Sequence, residues 1–120
     1  MRVKRGIKAR RRRNEVLKLA KGFRGRSSTT IRQGTQRAEK ALTYAYRDRR
    51  VRKRDFRRLW IARISAAAKS CGISYSQLMN GLKVANVSLN RKTLAELGVR
   101  DMEGFKSVVS VAKLALQSNA

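Results

Sequence analysis

The side chains able to do chemistry in this chain are few in kind and one-sided in charge. There is no histidine, a single cysteine (Cys71), and seven carboxylates against 31 Lys and Arg, a net charge of +24 over 120 residues. General acid–base catalysis needs titratable groups held together within reach of a substrate. Here Asp48 and Asp55 are the two acids that share a helical strip. Helical spacing sets Asp48 beside Arg52, and Asp55 beside Arg52 and Arg58, so both read as local charge relief rather than as a catalytic pair. One cysteine without histidine leaves no disulfide framework and no His/Cys metal site. The chain is therefore expected not to be an enzyme and to need no metal or cofactor. What its residues can do is hold phosphate. The arginine fork grips phosphate bidentately and stacks on bases, which favours structured recognition over loose neutralisation.

The cations are concentrated. Residues 1–63 carry 24 of them with four acids, and residues 64–120 only seven with three. Within the first half Arg outnumbers Lys 18 to 6. Self-repulsion on this scale opposes a compact free state and implies a polyanionic partner.

The stretch Tyr44–Ile64 organises the rest. It contains no proline or glycine, so nothing in it breaks a helix. At helical spacing Arg47, Arg49, Arg50, Arg52, Lys53, Arg54, Arg57 and Arg58 cover most of the circumference. A membrane-surface helix keeps its cations on one face, as does the outer side of a core helix. Charge on nearly every side suits a rod surrounded by folded nucleic acid. One strip is free of cations: Ala41, Tyr44, Asp48, Val51, Asp55, Leu59 and Ala62. It is expected to face another protein segment or solvent. Past Asp55 an apolar face of Phe56, Trp60, Ile64, Ala67 and Cys71 leads into a core, with Trp60 and Cys71 as core residues and Gly72 ending the helix.

Before that rod lie an arm, a turn and a cluster of potential N-caps, Ser27-Ser28-Thr29-Thr30. The arm Met1–Arg13 holds Arg2, Lys4, Arg5, Lys8, Arg10, Arg11, Arg12 and Arg13 without an acid, and is expected to order on nucleic acid. A short helix from Arg10, with Val16, Leu17 and Ala20 as its apolar edge and Lys18 outside, ends at Gly22 as C′. The turn Lys21-Gly22-Phe23-Arg24-Gly25-Arg26 allows close approach to phosphates, and Phe23 is placed to stack on a base or to anchor a helix corner. It lacks the spacing of a P-loop. Thr30 and Gln33 read as a capping box for a long helix. That helix carries Arg32 and Arg37 and the thin stripe Ala38, Leu42, Ala45, while Gly34 marks softness or close backbone approach.

After Gly72 the pattern is that of a small helical module. Ser74 with Gln77 forms a capping box, and Ile73 with Leu78 a hydrophobic staple, for a helix burying Leu78, Met79, Leu82 and Ala85. Asn90 caps the next helix, with Leu89 and Leu94 as staple, Leu94 and Leu97 inward, and Gly98 as its end. Asp101 caps the last, whose stripe is Phe105, Val109, Ala112 and Leu116. The expected class is all-α: an extended basic N-terminal arm and long helix over residues 1–58, leading into a small helical domain over residues 59–120.

Several runs are together specific. Arg2-Val3-Lys4-Arg5-Gly6, Leu19-Ala20-Lys21-Gly22-Phe23-Arg24-Gly25, Tyr46-Arg47-Asp48-Arg49-Arg50 and, above all, Arg52-Lys53-Arg54-Asp55-Phe56-Arg57-Arg58-Leu59-Trp60-Ile61-Ala62-Arg63-Ile64 resemble the family of ribosomal protein twenty of the bacterial-type large subunit. Ser74-Tyr75-Ser76, Met79-Asn80-Gly81-Leu82-Lys83 and Leu89-Asn90-Arg91-Lys92 extend the resemblance to about Leu116. It implies an extension threaded into large-subunit ribosomal RNA, a helical domain on the RNA surface, RNA binding early in subunit assembly, and neighbouring large-subunit proteins as partners. In some members it also implies repression of the protein's own messenger RNA. On this basis Arg63, Asn90, Arg91 and Lys92 join the cations named above, and Phe23, as candidate RNA-binding residues. No homo-oligomer is expected. A nucleoid or RNA-chaperone protein bound by charge alone is the alternative; the arginine bias and the placing of the aromatics argue against it.

The longest uncharged run, Ser70–Leu82, is too short and too polar to span a bilayer, so no membrane is expected. The expected location is the ribosome of a bacterial cytoplasm. An Arg-rich, acid-poor start resembles an organellar presequence, but its cations run straight into the rest of the basic half, which argues against one. A plastid or mitochondrial ribosome is the alternative location.

Overall fold

The structure is a computed structural model that describes residues 3–118; Arg2 of the candidate site lies outside them. Its elements are α1 (Gly6–Leu19), α2 (Arg26–Thr29), α3 (Ile31–Ser70), α4 (Tyr75–Val84), α5 (Arg91–Arg100) and α6 (Met102–Ser118). Among the described residues there is no strand, and the all-α class expected from the sequence holds. The chain divides into two compact units, Met1–Val51 and Arg52–Ala120, and α3 supplies residues to both.

In the first unit α1 begins at Gly6, four residues before the Arg10 expected. Ala9 N–H already donates to the Arg5 carbonyl at 3.0 Å. Arg, Lys and Ala are strong helix formers, and here propensity outweighs the repulsion between neighbouring cations. The helix ends at Leu19 with Ala20 as C-cap. Gly22 (φ 90°) and Gly25 (φ 64°) then take left-handed conformations that favour glycine. Gly22 sits one place beyond the C′ position expected.

Ser27, Ser28 and Thr29 do not cap α3; they form the short α2. Thr30 is extended, and its carbonyl accepts the Gly34 N–H at 2.8 Å. The capping box is not formed: the Thr30 hydroxyl does not accept the Gln33 N–H. The Thr30 N–H, which the glutamine of a capping box would receive, is already donated to the Arg26 carbonyl at 2.9 Å.

Close backbone approach at Gly34 is what the structure shows. A Cβ there would lie 3.3 Å from the Ser27 carbonyl oxygen and 3.5 Å from a Leu17 methyl. Ala20, Gly34 and Ala38 are buried, with Val16 and Leu17 half-buried beside them. The stripe goes no further, since Leu42 is 55% exposed.

The second unit holds the hydrophobic core. Ile64, Ala67 and Ala68 of α3 pack with Ile73, with Leu78 and Leu82 of α4, with Leu94 and Ala95 of α5, and with Phe105, Val109 and Ala112 of α6. Trp60 and Cys71 lie half-buried at its edge, not inside it, and Phe56 is 48% exposed. The apolar face of α3 therefore becomes core only from Ile64 onward. Phe56 and Trp60 instead lean on each other, ring centres 6.2 Å apart.

Capping sets the corners. Gly72 (φ 69°) closes α3, with its N–H on the Lys69 carbonyl. Lys113 of α6 donates from Nζ to the Cys71 carbonyl at 2.8 Å. The Ser74/Gln77 capping box is complete. Asn90 Oδ1 accepts the Thr93 N–H, and Asp101 Oδ1 the Gly104 N–H, both at 2.9 Å. Two expectations fail. Leu89 stays 38% exposed, outside the core that buries Leu94. Gly98 does not end α5, which continues to Arg100. Its place is a tight crossing, where an added Cβ would meet the Ala67 methyl at 3.0 Å.

Candidate nucleic-acid interface

The two units present cations differently. In the first, Lys4, Arg5, Lys8, Arg10, Arg11, Arg12, Arg13 and Lys18 are exposed on or just before α1, Lys21 and Arg24 on the turn that follows, and Arg26 at the start of α2. Arg32, Arg37, Arg47, Arg49 and Arg50 are exposed along the first part of α3. Helix α1 and the glycine turn place the former group, and the Gly34 crossing places the latter. The turn brings Phe23 and Arg24 to an open groove of ≈ 470 Å³ that Arg37, Lys40 and Tyr44 also line.

In the second unit Arg52, Lys53, Arg54, Arg57, Arg58 and Arg63 are exposed on α3, and Asn90 and Lys92 at the start of α5. Arg91 differs: it is half-buried, and its Nε–H donates to the Tyr75 hydroxyl at 2.9 Å, tying α5 to α4. Asn90 Oδ1 is occupied by the Thr93 N–H of its cap and by the Thr93 hydroxyl at 2.6 Å. Arg63 and Lys92, distant in sequence, meet at a groove of ≈ 200 Å³ whose walls include Trp60 and Arg100.

Few of these charges are answered within the chain. Among the described residues the ion pairs are Arg47–Asp48 at 2.8 Å, Arg58–Asp55 at 3.5 Å and Arg100–Glu96 at 3.3 Å, all between exposed side chains. Such pairs contribute little to stability. Asp55 takes Arg58 as the spacing predicts. Asp48 takes its sequence neighbour Arg47 rather than Arg52. Most of the exposed cations are thus left without an acidic partner among the described residues.

Sequence reasoning missed the tyrosines. Tyr44 carries Lys40 Nζ at 5.0 Å and Arg47 Cζ at 4.7 Å from its ring centre, inside the strip read as free of cations. Tyr46 carries Arg50 at 5.2 Å and accepts a hydrogen bond from it at 3.2 Å. The signal was present as Tyr and Lys/Arg at i,i+3 and i,i+4 spacing, which supports cation–π contact on a helix.

No group of three or more His, Cys, Asp or Glu able to hold a metal occurs among the described residues, and no described helix is long and apolar enough to cross a membrane. The fold and this surface define a class: a small, all-helical, strongly basic protein whose exposed arginines are organised by helices and tight glycine turns. Comparison with known proteins places it within that class. The family "Ribosomal protein L20" matches residues 2–108. The large ribosomal subunit protein bL20 of Syntrophotalea carbinolica is 60% identical over 97% of this chain and 98% of its own length. That of Desulforapulum autotrophicum is 61% identical over 97% and 100%. That of Geotalea uraniireducens is 60% identical over 93% and 96%. The chain belongs to the ribosomal protein L20 family, a family of ribosomal proteins and not of enzymes.

Proposed function

We propose that this chain is a structural component of the bacterial large ribosomal subunit that binds large-subunit ribosomal RNA directly and acts early in subunit assembly, with neighbouring large-subunit proteins as further partners. The observation that carries this reading is the set of exposed cations on α3, from Arg47 to Arg58, of which only Arg47 and Arg58 are paired with an acid among the described residues. Charge distributed round a helix is satisfied by phosphates converging from several directions, which folded RNA provides and a single duplex does not. Residues 1–58 form the part that enters RNA, and residues 59–120 the module that fixes its position. The exposed cations of the candidate site neutralise phosphates, while Arg91, held by Tyr75, presents a pre-oriented guanidinium.

A salt titration on large-subunit ribosomal RNA fragments tests this. The logarithm of the binding constant should fall steeply with that of salt concentration, with a slope on the order of ten phosphates. Affinity for the ribosomal fragment should also exceed that for duplex DNA of equal length. A shallow slope, or equal affinity for both, overturns the proposal and favours binding by charge alone.

A further inference from the structure

We infer that the groove between the Phe23 turn and α3 is a receptor for one unpaired nucleotide, its base lying against Phe23 and Tyr44 and its flanking phosphates against Arg24, Arg37 and Lys40. This rests on the RNA-binding reading and deepens it, since it gives one place on the surface a specific occupant. It also assigns Lys40 and Tyr44, which charge patterning alone left out of the interface.

Three observations carry it. The groove's volume of ≈ 470 Å³ lies within the range of clefts that take small molecules, about 300–1,000 Å³. Its lining is of two kinds only: aromatic and small residues on one hand, and Arg24, Arg37 and Lys40 on the other, with no carboxylate. An apolar peptide would gain nothing from three cations, and a duplex backbone would leave both rings unused. RNA with a splayed base uses both, because unstacked bases are recognised by stacking on aromatic side chains. Finally, the site is built rather than incidental. Gly22 and Gly25 take positive φ on either side of Phe23, and the Phe23 N–H is held on the Ala20 carbonyl at 3.1 Å. Opposite, Lys40 Nζ and Arg47 Cζ lie 5.0 and 4.7 Å from the Tyr44 ring centre, so a base takes the ring by displacing one of these flexible side chains, which then stays beside the phosphates of the bound nucleotide.

The test is chemical probing of unpaired nucleotides in transcribed bacterial large-subunit ribosomal RNA, with and without the full chain. One unpaired nucleotide should be protected by the wild-type protein and regain reactivity with Phe23→Ala and with Tyr44→Ala, while protections elsewhere persist. Each alanine variant should weaken binding about 5- to 150-fold, the effect of removing one stacking partner. Tyr44→Phe should retain the protection. Phe23→Ala can disturb the turn, so circular dichroism is compared for every variant. Tyr44→Ala, on an exposed helical site, keeps the helix and stands as the independent probe. RNA bound and protected, with no nucleotide depending on Tyr44, overturns the receptor and leaves the RNA-binding reading intact. No protection at any position removes both.

Discussion

Arg54 and Phe105 mark the two kinds of residue in this chain. Arg54 is exposed on α3 and has no acidic partner among the described residues, so the fold gains nothing from its guanidinium. Arg54→Ala should leave the thermal melting of the free protein unchanged and weaken RNA binding. A fall in melting temperature would show the residue to be structural. Phe105, fully buried in the core, is the reverse case. Phe105→Ala should cost about 3–5 kcal/mol, the usual range for truncating a buried aromatic. Trp60 lies between them. Its position in an apolar repeat suggests a core residue, but the indole is half-buried and lines the groove it shares with Arg63 and Lys92. Trp60→Ala should therefore destabilise by clearly less than Phe105→Ala, and urea melts followed by circular dichroism would rank the two. The repeat that names Trp60 reports which face of a helix it occupies. It cannot report where along the helix the core begins, since that depends on where α5 and α6 return to meet α3.

At the scale of elements, the punctuation of the second unit is legible because it is local. Ser74 with Gln77, Asn90 with Thr93 and Asp101 with Gly104 each satisfy a helix end within four residues, so the signal and the structure it makes lie in the same short stretch. Ser74→Ala should accordingly cost about 1 kcal/mol. The glycines are less legible because their reasons are remote. Gly98 reads as a helix end, yet it lies within α5 where Ala67 of α3 crosses it. Gly81, within α4, faces the backbone of α6: a Cβ there would stand 2.5 Å from the Ala112 carbonyl oxygen. Local propensity favours Gly81→Ala by about 1 kcal/mol. The clash is with backbone and cannot be relieved by a rotamer, so α4 and α6 would have to separate. Gly81→Ala should lower the melting temperature despite the better helix former; a rise would mean the contact is soft. The same remoteness explains the candidate interface. Exposed cations are readable from charge alone, whereas the groove joining Phe23 to Tyr44 exists only once the Gly34 crossing has set α1 and its turn beside α3.

For the molecule as a whole, stability and function pull on the same charges in opposite directions. Of the 31 cations, those in residues 1–63 face only four acids, and the first unit buries little beyond Ala20, Gly34 and Ala38. Self-repulsion in the free chain is offset there by few apolar contacts, and helices without tertiary support are marginal in water. Screening by salt relieves that repulsion, so adding salt should increase the helical content of the free protein. The same screening favours counterions over protein on RNA, so affinity should fall across the same range. Core contacts in the second unit carry little charge, so the melting of Phe105 and its neighbours should respond to salt less than the helicity of residues 1–51 does. Circular dichroism of the free protein and filter binding to ribosomal RNA, run over one salt series, measure both quantities. Opposed trends are expected. Helicity that falls together with affinity would mean that the first unit is held by internal ion pairs, and that its charge is not what RNA recognises.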